Sequence, residues 1–108
     1  MASFTVGGQH YRGLEAGPPD AFNHSFSIII ECDTQAEIDR LWAALGESGT
    51  IEQCGWLKDR WGLSWQILPK QLGELMNDPD PARAQRITEA MLQMVKLDIA
   101  ALEAAASR

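Results

Sequence analysis

SFTV (3–6), in which polar and apolar positions alternate, and QHYRGLE (9–15) are short stretches of strand type. Gly7-Gly8 stands between them and suits the positive backbone angles of a two-residue turn, so the pattern predicts a β-hairpin. AGPPDAFN (16–23) shows no period and is rich in Gly and Pro, which predicts a crossing loop. FSIIIEC (26–32) returns to strand character. Phe26, Ile28, Ile30 and Cys32 form one wholly apolar face, predicted to meet a helix, and Ser27, Ile29 and Glu31 form the other.

That helix follows directly. Thr34 with Glu37 makes a capping box, and Ile38, Leu41, Trp42 and Leu45 recur at the spacing of one buried stripe, which stops around Gly46 and Gly49. Residues 52–57 and 63–68 read as two antiparallel strands around a Lys58-Asp59-Arg60 tip, giving β-α-β-β over 26–68. Leu63, Trp65 and Ile67 share the helix-facing side of the last strand, and Ser64 and Gln66 point the other way. Beyond Pro69 the pattern is helical. A short run, QLGELMND, is broken by Pro79 and Pro81; Asp80 is an N-cap with Pro81 at the first helical position, and Ala84, Ile87, Met91 and Met94 share a face. Asp98 caps a last helix, IAALEAAA. At about 2 to 3 kcal/mol for each large apolar side chain buried, these helices must dock on the sheet or on a second copy of the chain.

A chain of 108 residues makes one small domain. Nine basic against fifteen acidic side chains, a formal charge of −6 spread along the sequence, argue against a nucleic-acid partner, which needs clustered Lys and Arg. No apolar run approaches the roughly 20 residues of a membrane span, and MASFTVGGQH has neither the basic nor the apolar part of a leader, so a cytoplasmic, non-membrane protein is expected. Cys32 and Cys54 are then expected as buried thiols that act as small hydrophobes. No CxxC, HExxH or Cys/His cluster points to a metal.

CGWLKDRWGLSWQILP (54–69), followed by DPDPARAQRITEAMLQMVKLDIAALEAA, resembles the PhnB-like family often labelled "3-demethylubiquinone-9 3-methyltransferase", a branch of the glyoxalase, bleomycin-resistance and dioxygenase (vicinal oxygen chelate) superfamily. The likeness runs from about Phe4 to Ala105. It implies an α+β fold of paired βαβββ modules around a cleft. On that pattern residues 1–15 are the closing hairpin of an incomplete first module, 22–69 the second module and 70–108 the C-terminal helices of a single glyoxalase-like domain. An incomplete first module leaves sheet edges open, which a homodimer would cover.

The superfamily's metal ligands, a His near the start of a module's first strand and a Glu in its last, fall on Phe26 (or Ser25 or Ser27 if the register slips) and on Gln66. Arg12 takes the corresponding place in the first hairpin and would repel a cation. A phenyl ring, an amide and a guanidinium suit no divalent ion, so no metal is expected, with His24 the remaining conceivable ligand. Nor does Gly7-Gly8, between antiparallel strands, supply the Gly-rich strand-to-helix turn that S-adenosylmethionine needs. No cofactor is expected.

The candidate cleft is therefore Ser27, Glu31, Ser64 and Gln66, with Arg12, suited to a small polar or carbonyl-bearing molecule. Trp65 and Trp42 belong to the core. Trp56 and Trp61 flank the turn at a cleft mouth or a dimer seam. Cys54 lacks the neighbouring base that would activate it. Three functions fit: a metal-free small-molecule-binding protein or enzyme using the cleft; a dimeric interaction module with a vestigial cleft; and a metal-dependent lyase or dioxygenase with ligands from a partner chain.

Overall fold

The structure, a computed structural model, describes residues 1–15, 17–18 and 20–107. The chain opens with β1 (Ala2–Val6) and β2 (Gln9–Gly13), paired antiparallel with Phe4 opposite Tyr11 and Ser3 opposite Arg12. Gly7 and Gly8 carry φ of 57° and 80°, as the primed hairpin turns require, so this expectation holds. The hairpin is a sheet of its own, and apart from half-buried Gly13 all its strand residues are exposed. Much of the crossing segment has no regular structure; positions 16 and 19 within it lie outside the described residues.

β3 (Ser27–Cys32) leads into α1 (Gln35–Gly46). The helix starts where the capping box predicts: the Thr34 hydroxyl accepts from the Glu37 amide at 3.2 Å, and the Glu37 carboxylate accepts from the Asp33 amide at 3.0 Å. It ends as the backbone turns left-handed at Ser48, φ 60°. Three strands follow, β4 (Thr50–Ile51), β5 (Trp56–Lys58) and β6 (Ser64–Pro69), in the sheet order β3-β6-β5-β4. β3 runs parallel to β6, and the other neighbours are antiparallel. The module is thus β-α-β-β-β, one strand more than the residue pattern alone predicts, because two residues are too few to show a period.

Two other boundaries differ from the sequence reading. Residues 52–55 are not strand: Cys54 and Gly55 have φ of 57° and 83°, which no strand can continue, and their amides bond the carbonyls of Met94 and Val95 at 2.9 and 2.8 Å. Gly55 is required there, since a Cβ would stand 2.9 Å from the Ile67 carbonyl oxygen. The tip also shifts by one position. Lys58 belongs to β5, and the turn runs from Asp59 to Leu63, closed by Asp59 N–H to the Leu63 carbonyl at 2.9 Å.

One core lies between the sheet and α1. Cys32, Ile38, Leu57 and Ile67 are fully buried, with Ile30, Leu41, Trp42, Leu45 and Trp65 packed against them, so both core tryptophans stand where expected. The second core gathers the helices α2 (Leu72–Met76), α3 (Pro81–Leu92) and α4 (Ile99–Ala106) around Leu72, Ile87, Leu97, Leu102 and Ala106, with Leu68 of β6 packed in. The C-terminal helices therefore dock on their own module. Asp80 and Asp98 cap as predicted, each accepting from a backbone amide two or three residues on at 3.0 Å. Gln35 links the cores, accepting from Ile99 N–H at 2.8 Å and donating to the Leu97 carbonyl at 3.0 Å.

Candidate functional site

Strand register decides which side chains share the face opposite α1. Ser27 pairs with Ser64, Ile29 with Gln66 and Glu31 with Leu68, while across the tip Trp56 pairs with Gln66 and Lys58 with Ser64. Ile67, Trp65 and Ile30 pack toward α1, so by the alternation of a strand Ser27, Ile29, Glu31, Ser64, Gln66, Trp56 and Lys58 occupy the opposite face.

Four of the five predicted cleft residues therefore share one surface, and two of them touch. The Gln66 amide nitrogen donates to the Ser27 hydroxyl at 2.9 Å. Ser64, beside Ser27 on the neighbouring strand, is fully buried, and among the described residues its hydroxyl has no hydrogen-bond partner. Glu31 is exposed at the far end of β3, beyond Ile29, which is itself 54% exposed. Arg12 is not brought to this face. It lies on the separate hairpin, across from Ser3.

The two candidate tryptophans part company. Trp56 is half-buried and meets the His24 ring edge-on at 5.9 Å, whereas Trp61 is 74% exposed at the turn, with the Arg60 guanidinium 5.2 Å above its ring. The Asp59 side chain is held within the turn. Its carboxylate accepts from the amides of Trp61 and Leu63 at 2.9 and 3.1 Å and from the Trp65 indole N–H at 2.9 Å.

Sequence reasoning passed over a second polar group beside this face. His24 Nε2 lies 3.0 and 3.2 Å from the two Glu52 oxygens, and Lys58 Nζ is 4.0 Å from the same carboxylate. His24, Glu52, Gln53 and Trp56 line a shallow depression of about 370 Å³. With the tip placed one residue later, strand alternation puts Lys58 and Trp56 on the Ser64 and Gln66 side, which was the available signal. His24 and Glu52, 28 positions apart in the sequence, carried none.

The donor set does not fit the metal that the resemblance implies. Phe26 is 62% exposed and offers no ligand atom, and Gln66 is a neutral amide engaged with Ser27. Among the described residues no three His, Cys, Asp or Glu side chains cluster as a metal site would need. The thiols offer no nucleophile here. Cys32 lies in the core, where burial first and the nearby Glu37 carboxylate second push its pKa up. Cys54 is half-buried in the left-handed turn rather than fully buried as expected.

A βαβββ unit whose first strand lies parallel to its last, with one face on a helix and Ser27, Ser64 and Gln66 on the other, is a glyoxalase-like module, and the chain is a mixed α+β protein of that kind. A family model described as 3-demethylubiquinone-9 3-methyltransferase matches residues 1–68, and the chain belongs to this family. A search of curated proteins returned no match. The methyl transfer in the family's description is not supported by the fold. The Gly7-Gly8 turn joins antiparallel strands, and the turn from β3 into α1 is Asp33-Thr34, without a glycine to admit a cofactor to the backbone. Among the described residues no helix is long and apolar enough to cross a membrane.

Proposed function

We propose that the face formed by Ser27, Ser64 and Gln66, walled by Trp56 and Lys58, binds a small polar or carbonyl-bearing molecule without a metal, in a cytoplasmic protein that is a single glyoxalase-like domain over 1–108. The observation that carries this reading is the Ser64 hydroxyl, fully buried on the polar face and without a partner among the described residues. Native proteins rarely leave such a group unpaired, and those that do commonly keep it for a ligand or an ordered water. The bonded Ser27 and Gln66 beside it supply a second hydroxyl and an amide already held in place. Glu31 extends the same face, and Ile29 gives it an apolar floor.

A thermal-shift screen of small polar and carbonyl compounds tests the proposal. A ligand of this face should bind about 1 to 2 kcal/mol more weakly to Gln66→Ala, the scale of one hydrogen bond in a desolvated site, and equally well to Lys70→Ala, whose charge sits 73% exposed beside Asp33. If no compound responds to Gln66→Ala, the face is not a binding site.

The second reading, a homodimeric interaction module, is favoured by a different observation: the apolar side chains of the β1–β2 hairpin, Phe4, Val6 and Tyr11, all stand open. Homodimerisation is compatible with either reading.

A further inference from the structure

Across β3, β6 and β5 the proposed face forms two rows, Ser27-Ser64-Lys58 and Ile29-Gln66-Trp56. The first row is wholly polar, and the second sets an amide between two apolar side chains. Both rows are richer in hydrogen-bond donors than in acceptors. Gln66 Nε2 gives one of its two N–H groups to the Ser27 hydroxyl, which keeps its own O–H to donate. The Ser64 hydroxyl is fully buried and has no partner among the described residues. Lys58 stands directly across from Ser64, at a position whose Cβ lies about 4.5 to 5.5 Å from its neighbour's in an antiparallel pair. Its ammonium can only donate.

That ammonium is loosely held. The Glu52 carboxylate beside it is 4.0 Å away, beyond hydrogen-bond reach. Glu52 engages His24 instead, with Nε2 at 3.0 and 3.2 Å from its two oxygens. Lys96, by contrast, meets Asp39 at 2.9 Å. Nor does Lys58 stand in open water: its side chain is 32% exposed, against 73% for Lys70. A half-buried cation that no acceptor satisfies among the described residues attracts an anion more strongly than a surface lysine does, because water screens the pair less.

We infer that the molecule this face takes is a small carboxylate that also carries a carbonyl, its charge on the Lys58 ammonium and its carbonyl oxygen on the free Gln66 N–H and the Ser64 hydroxyl. The inference rests on the proposed face and adds the class of ligand. The donor surplus calls for a molecule rich in acceptors, and the single ammonium is a point charge that matches one carboxylate. Glu52, close beside Lys58, repels a second negative charge and so disfavours a phosphate. Ile29 and the half-buried Trp56, on either side of Gln66, leave room for a short apolar remainder.

Two-dimensional NMR titration of the whole chain tests this, with pyruvate, oxobutyrate and phenylglyoxylate each set against its primary amide, and inorganic phosphate as the more highly charged anion. At least one acid should shift the Lys58, Ser64 and Gln66 backbone amides and bind the parent chain at least about fivefold tighter than its amide does. Lys58→Gln, confirmed folded by circular dichroism, should weaken the acid by about fivefold or more and leave the amide within about twofold, and Lys58→Arg should keep the preference. Glu52→Gln should tighten the acid, because it removes the competing negative charge. Lys70→Gln should change nothing. Acids that bind no tighter than their amides, or phosphate binding tighter than every acid, overturn the inference. The two readings fail separately: amides that bind as well as acids and weaken on Gln66→Ala keep the face and lose the ligand class, whereas acids and amides alike indifferent to Gln66→Ala overturn the face and the inference with it.

Discussion

Asp59 should be worth more to this protein than its place in an exposed turn suggests. Replacing it with alanine removes three acceptor contacts, to the amides of Trp61 and Leu63 and to the Trp65 indole N–H. Water reaches the Trp61 amide and replaces that bond at little cost, whereas the Leu63 amide and the indole are half-buried. Each of those two bonds, only part-buried and so weaker than a fully desolvated bond to a charged group, contributes about 1 to 1.5 kcal/mol net, so Asp59→Ala should destabilise the fold by about 2 to 3 kcal/mol. For a chain of this length that lowers Tm by about 10 °C. Urea unfolding followed by tryptophan fluorescence measures it, and a cycle with Trp65→Phe isolates the indole bond. In the Trp65→Phe background, which has no indole N–H to satisfy, Asp59→Ala should cost about 1 kcal/mol less. A cost below about 0.5 kcal/mol, the range of ordinary surface substitutions, or a cost unchanged by Trp65→Phe, would refute the claim that the carboxylate holds the turn to the core.

Gly49→Ala would drive a Cβ into the backbone carbonyl of Lys58, which must move the end of β5, so a loss above about 2 kcal/mol is expected in denaturant unfolding, whereas Gly73→Ala, inside α2 with nothing near the added Cβ, should cost nothing and gain up to about 1 kcal/mol of helix propensity. The Asp39 carboxyl is held below its ordinary pKa of 3.8 by hydrogen bonds from Lys96 first and Gln35 second. A lowered folded pKa adds stability that is present above the unfolded value and is lost as pH falls through the folded one. In unfolding measured from about pH 5 down to about pH 2, the window in which such a carboxylate titrates, Asp39→Asn should therefore show a shallower decline than the parent chain.

Much of the fold was legible in the chain because its signals are local. Gly7-Gly8, Thr34 with Glu37, Asp80 with Pro81, and Asp98 each satisfy backbone groups within a few positions, and they placed the hairpin and three helices. The alternation of SWQIL, and of FSIIIEC at Ile30 and Cys32, likewise showed which side chains face α1, so Trp65 entered the core and Gln66 the polar face, whereas Phe26, expected on the same side, is exposed ahead of β3. Where local signals ran out, the sequence misplaced things: residues 52–55 looked like strand, and Lys58 like a turn.

Tertiary structure decided the rest, for reasons of distance along the chain. The left-handed turn at Cys54 and Gly55 exists because amides there bond carbonyls about 40 positions away, at Met94 and Val95. The pairing of His24 with Glu52 depends on the β4–β5 turn lying beside the loop before β3. Whether Arg12 joins Ser27 and Gln66 depends on where the hairpin docks, and its own residues make a ribbon without naming what covers it. A side chain's face is set by its neighbours two positions away, but the company it keeps is set by whichever segment folds against that face.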